Sequence, residues 1–159
     1  MSTHTTVSDH GPRLDVFGHA KAASAALIRV EERIDLDPVL KELVKLRASQ
    51  LNACAFCLDM HWSAAKAAGE SDVRLAQLPA YAESPYFDAR ERAVLALTDA
   101  VTLVAEGGVP DDVWTAARRH LDETELSHLL MQIAAINAWN RIAVSARLVP
   151  GSWTGNDAP

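Results

Sequence analysis

Apolar residues recur along this chain at intervals of three and four, the period of a helix buried on one side. An Ala-rich segment from about Asp15 to Glu32 predicts a first helix. Asp37-Pro38 is a start signal, with Asp as the cap and Pro at the first helical position. Leu40, Leu43, Val44, Arg47 and Leu51 then follow at helical spacing. Asn52 breaks that run and is expected to cap a third helix, Ala53 to Ala68, ended by Gly69. Ser71 opens a short helix through Leu78, and Tyr81 to Phe87 reads as a loop in which Ser84-Pro85 is driven out of helix. Asp88 with Glu91, and Asp122 with Glu125, have capping-box spacing. The first opens a helix with the stripe Val94, Leu97, Thr98, Val101 and Val104, closed by Gly107-Gly108. Pro110 and Asp111 start a helix to about His120, and the last helix runs to about Leu148. The pattern predicts roughly six or seven helices and no strand.

Composition agrees. The 159 residues include 28 Ala and 18 Leu but only 5 Ile. A sheet-rich domain would hold more β-branched and aromatic residues. The expectation is one all-α domain over residues 13–150, with a flexible lead-in at 1–12 and a flexible tail at 151–159 in which Trp153 is suited to dock. A formal net charge of −6 and the lack of a dense Lys/Arg run argue against nucleic acid as a partner. No stretch approaches the ~18 to 20 apolar residues of a membrane span. The polar N-terminus lacks a secretory segment, so a cytoplasmic location is the default expectation. Two cysteines do not make a disulfide scaffold there; metal binding or redox chemistry fits better.

Both cysteines fall in one motif, Cys54-x-x-Cys57, with His61 four residues beyond. Relative to Cys54, Cys57 lies about 300° and His61 about 700° around a helix, so all three share a face. Three readings of that face stay open. The cysteines are small core residues beside a satisfied histidine. They hold a structural zinc, which needs a fourth ligand from Glu42 or a distant His. Or they form a redox dithiol, with Cys54 in the first helical turn, where unpaired N–H groups favour a thiolate, and His61 placed to move the Cys57 proton. A c-type haem is excluded because Leu58, not His, follows Cys57. A thioredoxin fold needs a βαβ pattern that this chain lacks.

Glu42, eleven residues, Cys54-x-x-Cys57, three residues and His61 resemble the signature of the AhpD-like alkylhydroperoxidases of the carboxymuconolactone decarboxylase superfamily. The surrounding Ser49-Gln50-Leu51-Asn52-Ala53, Phe87-Asp88-Ala89-Arg90-Glu91-Arg92-Ala93 and Ile136-Asn137-Ala138-Trp139-Asn140-Arg141 resemble one branch of it. The similarity spans about residues 14 to 150. It implies an all-helical fold that oligomerises as trimers or hexamers, and peroxide reduction in antioxidant defence without a cofactor. Cys57 is then the attacking thiolate, Cys54 the resolving thiol, and His61 with Glu42 the proton relay. The implied partners are a hydroperoxide and an external dithiol, of thioredoxin or lipoyl type. The best-studied branch has a second histidine between the cysteines; here Phe56 stands there, and that part of the proton network is missing. The helix dipole favours Cys54 as the attacking sulfur and the His61 contact favours Cys57. A base that can return its proton to the leaving alkoxide decides for Cys57.

Two other functions carry different expectations. A lactone decarboxylase of the same superfamily would leave the dithiol idle, and a non-enzymatic redox sensor would oxidise once without turnover. Trp62, Trp114 and Trp139 are expected in packing or interfaces, and Asn137 with Arg141 as a helix pair ordering the site or a subunit contact. His120 and His128 read as plain polar positions, and Asp99 and Glu106 as solvated.

Overall fold

The computed structural model describes residues 11–152, and every described element is helical. In chain order these are α1 (Val16–His19), α2 (Lys21–Glu32), α3 (Pro38–Leu51), α4 (Ala55–Ala67), α5 (Asp72–Gln77), α6 (Ala89–Thr102), α7 (Asp111–His120) and α8 (Glu123–Ala146). Short 3₁₀ turns follow α5 at Leu78–Ala80 and α6 at Val104–Glu106. The lead-in through His10 and the tail from Trp153 lie outside the described residues. Among the described residues no helix is long and apolar enough to cross a membrane.

The caps form where the residues put them. Asp37 accepts from the Leu40 amide, and Ser71 from the Arg74 amide. Asp88 with Glu91, and Asp122 with Glu125, close both bonds of the capping box. Each such cap stabilises its helix by about 1 kcal/mol. The expected first helix is instead two, because Asp15 folds its carboxylate onto the Gly18 amide and Ala20 leaves the helical region at φ −119°, ψ 39°. A Cβ at Gly18 would lie 2.0 Å from Asp15 Oδ2, so a larger residue there would push this carboxylate from its present place. Val104 departs from the expected stripe: it sits in the 3₁₀ turn beyond α6 and is exposed. The last helix ends at Ala146, short of Leu148, with Arg147 in the left-handed region at φ 55°.

Helix α3 is the hub and packs against α4, α6 and α8. Leu40 and Val44 enter one apolar cluster with Val94, Leu97, Leu129 and Ile133. Leu43 and Leu46 enter another with Leu75, Leu78 and Phe87. A helix with apolar clusters on two sides is held in rotation as well as in place. It therefore makes a fixed wall for whatever its remaining face carries.

Candidate active site

That remaining face carries Glu42 and Lys45, and it looks across at the start of α4. The connection from α3 to α4 is the tight turn Asn52, Ala53, Cys54. The Cys54 amide returns to Ser49 O at 3.0 Å, and Ala53 takes φ 51°. Asn52 does not cap α4 as expected. It ends α3, and its Nδ2 lies 2.9 Å from Ala48 O, 3.0 Å from Asn137 Oδ1 and 2.9 Å from Asn140 Oδ1. Cys54 is itself the cap of α4, its Sγ accepting from the Cys57 amide at 3.3 Å. An i, i+3 pair starting at the cap brings the two side chains together at the helix end, and here they are joined as a disulfide with Cα atoms 5.3 Å apart. Asn140 is completely buried and also donates to Ser49 Oγ at 3.0 Å, while Asn137 donates to Thr102 Oγ1 at 3.1 Å. The turn that carries the dithiol is thus tied to α8 and α6 by side-chain amides.

One helical turn beyond Cys57, His61 is buried with its Nδ1 2.9 Å from Glu42 Oε2. A carboxylate only accepts, so the ring donates from Nδ1 and its other nitrogen is left for further chemistry. Burial alone raises the pKa of Glu42. The hydrogen bond from His61, the charge of His61 and the contact with Lys45 outweigh it and hold the carboxyl below its ordinary range. Lys45 Nζ lies 3.0 Å from Glu42 Oε1.

Cys57, His61, Glu42 and Lys45 all line one cavity of about 290 Å³. Its other walls are mainly apolar, with Phe56, Met60, Ala143 and Leu148 near the dithiol. Phe17 from α1 and Trp139 from α8 meet across it, ring centroids 6.0 Å apart. Cys57 lines this cavity and Cys54 does not. Both cysteines are only 1% exposed. Among the described residues no group of three or more His, Cys, Asp and Glu is placed to hold a metal ion.

Residues 19–100 match the sequence profile of the carboxymuconolactone decarboxylase family. The chain belongs to this family. The uncharacterized protein YdfG of Bacillus subtilis is 41% identical over 105 residues, covering 66% of this chain and 71% of that protein. A crystal structure from Agrobacterium tumefaciens, Atu0492, superposes with a TM-score of 0.84 at 36% identity, over 89% of this chain and 99% of that one. It is named as a protein of unknown function and a candidate AhpD antioxidant defence protein. The debrominase Bmp8 shares the fold at a TM-score of 0.76 and 16% identity, over 86% of this chain and 75% of that one. The family profile ends within α6, whereas the Atu0492 likeness extends the AhpD-like fold to most of the chain.

Within this family member the four sequence-predicted residues, Glu42, Cys54, Cys57 and His61, come together as one cluster. Three residues that complete the surroundings were missed. Lys45 carried a signal, an opposite charge at i+3 from Glu42 beside Val44 and Leu46, which are buried. Glu31 and Phe17 carried none, since each reaches the site only through the packing of α1 and α2. Trp139, expected in packing, does pack on Phe17 and by doing so forms the cavity wall. Asp99 is not a solvated surface acid: Arg47 binds it through two bonds at 2.6 and 2.9 Å, and the Tyr81 hydroxyl donates to it at 3.0 Å. His128 is also more than a polar position, accepting from the Asp35 amide at 3.2 Å.

Proposed function

We propose that this protein is a thiol-dependent peroxidase that reduces an organic hydroperoxide by cycling Cys54 and Cys57 between dithiol and disulfide, in antioxidant defence. The observation that carries the reading is the placing of Cys57: bonded to Cys54, open to a mainly apolar cavity and one turn from the paired His61–Glu42. In the first step His61 takes the Cys57 proton and the thiolate attacks the outer oxygen of ROOH. The O–O bond breaks, Cys57 becomes a sulfenic acid, and the alkoxide leaves as ROH with the proton held by His61. Cys54 then attacks the Cys57 sulfur, forming the disulfide and releasing water. An external dithiol restores the pair by exchange and leaves oxidised.

The burial of the disulfide favours a reductant of particular shape. With both cysteines 1% exposed, a thiol fixed on a flat protein face has no line of attack. A dithiol on a slender, flexible apolar arm, of lipoyl type, can enter the cavity and meet Cys57. The proposal includes a homo-oligomer, trimeric or hexameric, for which exposed Trp62, Met131 and Val144 offer apolar surface.

Reduced protein treated with one equivalent of cumene hydroperoxide is expected to lose the mass of two hydrogens. It should then turn over continuously when dihydrolipoamide is supplied. Cys57→Ser should abolish turnover, and Cys54→Ser should stop at a sulfenic acid that dimedone traps. Full turnover by Cys57→Ser would end the reading. A single oxidation without turnover would make the pair a sensor.

A further inference from the structure

Lys45 takes no part in the chemistry above, yet it is 8% exposed and lines the same cavity as Cys57 and His61. Lysine is almost never buried to that degree unless it is paired. Its ammonium stands between two carboxylates, 3.0 Å from Glu42 Oε1 and 3.6 Å from Glu31 Oε2. The second oxygen of Glu42 takes the His61 bond, and the second oxygen of Glu31 takes the Gln132 amide at 3.3 Å. Gln132, Glu31, Lys45, Glu42 and His61 therefore form one continuous chain of contacts from α8 through α2 and α3 to α4. A buried ion pair adds little net stability, and an apolar side chain of similar volume would pack as well. What Lys45 contributes is to be sought in the groups it touches.

We propose that Lys45 is a positioning residue for the His61–Glu42 pair, its ammonium offsetting the two carboxylates so that His61 can stand as a neutral base beside Cys57. Without it, Glu31 and Glu42 would share one cavity wall with no cation between them. The proton that relieves them would settle on the His61 ring. An imidazolium donates from both nitrogens and cannot accept the Cys57 proton. Among the described residues, four helices and one connection bring titratable or polar groups to the pair. Helix α2 brings Glu31, with Asp35 in the connection after it. Helix α3 brings Lys41, Glu42 and Lys45, helix α4 brings Cys57 and His61, and helix α8 brings the uncharged Gln132. Lys41 cannot stand in for Lys45, because its ammonium is held by the carbonyls of Glu31 and Ile34 at 2.8 and 3.1 Å.

The proposal draws on the peroxidase reading only for the use His61 makes of its proton; the charge coupling itself can be tested apart from it. In the oxidised protein the cysteines do not titrate, and the His61 ring can be followed alone by NMR, assigned with His61→Gln. Lys45→Met, which removes the cation beside Glu42, should move the midpoint of the ring titration upward. Glu31→Gln frees Lys45 to act on Glu42 and His61 and should lower it. Lys45→Arg keeps the charge and should stay near the parent. Opposite movement in the two neutralising variants marks charge coupling, because loosened packing has no reason to change sign. An unmoved midpoint in Lys45→Met, or movement in the same direction in Glu31→Gln, overturns the proposal. If Lys45→Met does not fold, the absence of a downward shift in Glu31→Gln overturns it alone. In the reduced protein, the acid limb of the rate of reaction with cumene hydroperoxide should move upward in Lys45→Met together with the ring. Parent protein that shows the titration shifts but never reacts with hydroperoxide would sink the peroxidase reading and leave the coupling standing.

Discussion

At the scale of single residues the site depends on one ring held by one carboxylate. His61 gives its Nδ1 edge to Glu42, and that bond decides which nitrogen faces the cavity chemistry. Replacing His61 with Asn should slow the reaction of the reduced protein with hydroperoxide by about 10²–10⁴-fold, the usual contribution of a positioned acid-base group. Glu42 also couples the site to pH. Burial opposes its charge, but His61 and Lys45 outweigh burial and hold the folded carboxyl below its ordinary range. A depressed carboxyl stabilises the fold fully above its unfolded pKa of about 4.3 and loses that contribution as pH falls through the lower folded value. Urea unfolding of the parent should therefore weaken on acidification below about pH 4 more steeply than that of Glu42→Gln. Equal slopes in the two proteins would show that Glu42 is not held ionised by its neighbours.

At the scale of elements, the turn between α3 and α4 sets where the sulfurs lie. Ala53 occupies the left-handed region at φ 51°, which costs a residue with a Cβ roughly 1–2 kcal/mol. The bonds from Asn52 and Asn140 to α3 and α8 hold the turn in spite of this. Ala53→Gly should then be neutral or stabilising by up to about 1 kcal/mol in denaturant unfolding, the reverse of Ala→Gly inside a helix. Asn140→Leu takes away the amide that donates to buried Ser49 Oγ, while Asn52 keeps Ala48 and Asn137 as acceptors, and should destabilise by about 1–3 kcal/mol. A marked loss on Ala53→Gly would mean that the turn is not strained. These elements also show where sequence reading stops. The caps at Asp37, Ser71, Asp88 and Asp122 were legible because a cap and its amide lie three positions apart. The cluster Glu42, Cys54, Cys57 and His61 was legible as a spacing. The break at Ala20 was not, since an Ala-rich run gives no sign that Asp15 will turn back on Gly18. Asn52 was misplaced for a related reason. Its side chain has two roles open to it locally, and partners 85 and 88 positions away on α8 select between them.

At the scale of the whole molecule, a cycling dithiol requires a fold that survives in both redox states. Cys54 and Cys57 are only three positions apart, so their bond closes a minimal loop. Chain-entropy accounting gives such a loop about 2 kcal/mol of stabilisation. The main apolar clusters lie elsewhere, around Leu97, Leu129 and Ile133 on one side of α3 and around Leu43, Leu75 and Phe87 on the other. Each fully buried Leu contributes roughly 1.5–3 kcal/mol, so one or two of them match the bond. Reduction with a phosphine should accordingly leave the far-UV circular dichroism unchanged below the transition and lower Tm by no more than about 4–8 °C. Leu129→Ala, by contrast, should cost about 2–5 kcal/mol in the oxidised and reduced forms alike, because its cavity opens away from the dithiol. Loss of helix on reduction would reverse the argument: the pair would be a staple for the fold, and a protein that unfolds at each turn of its own cycle cannot be the peroxidase proposed.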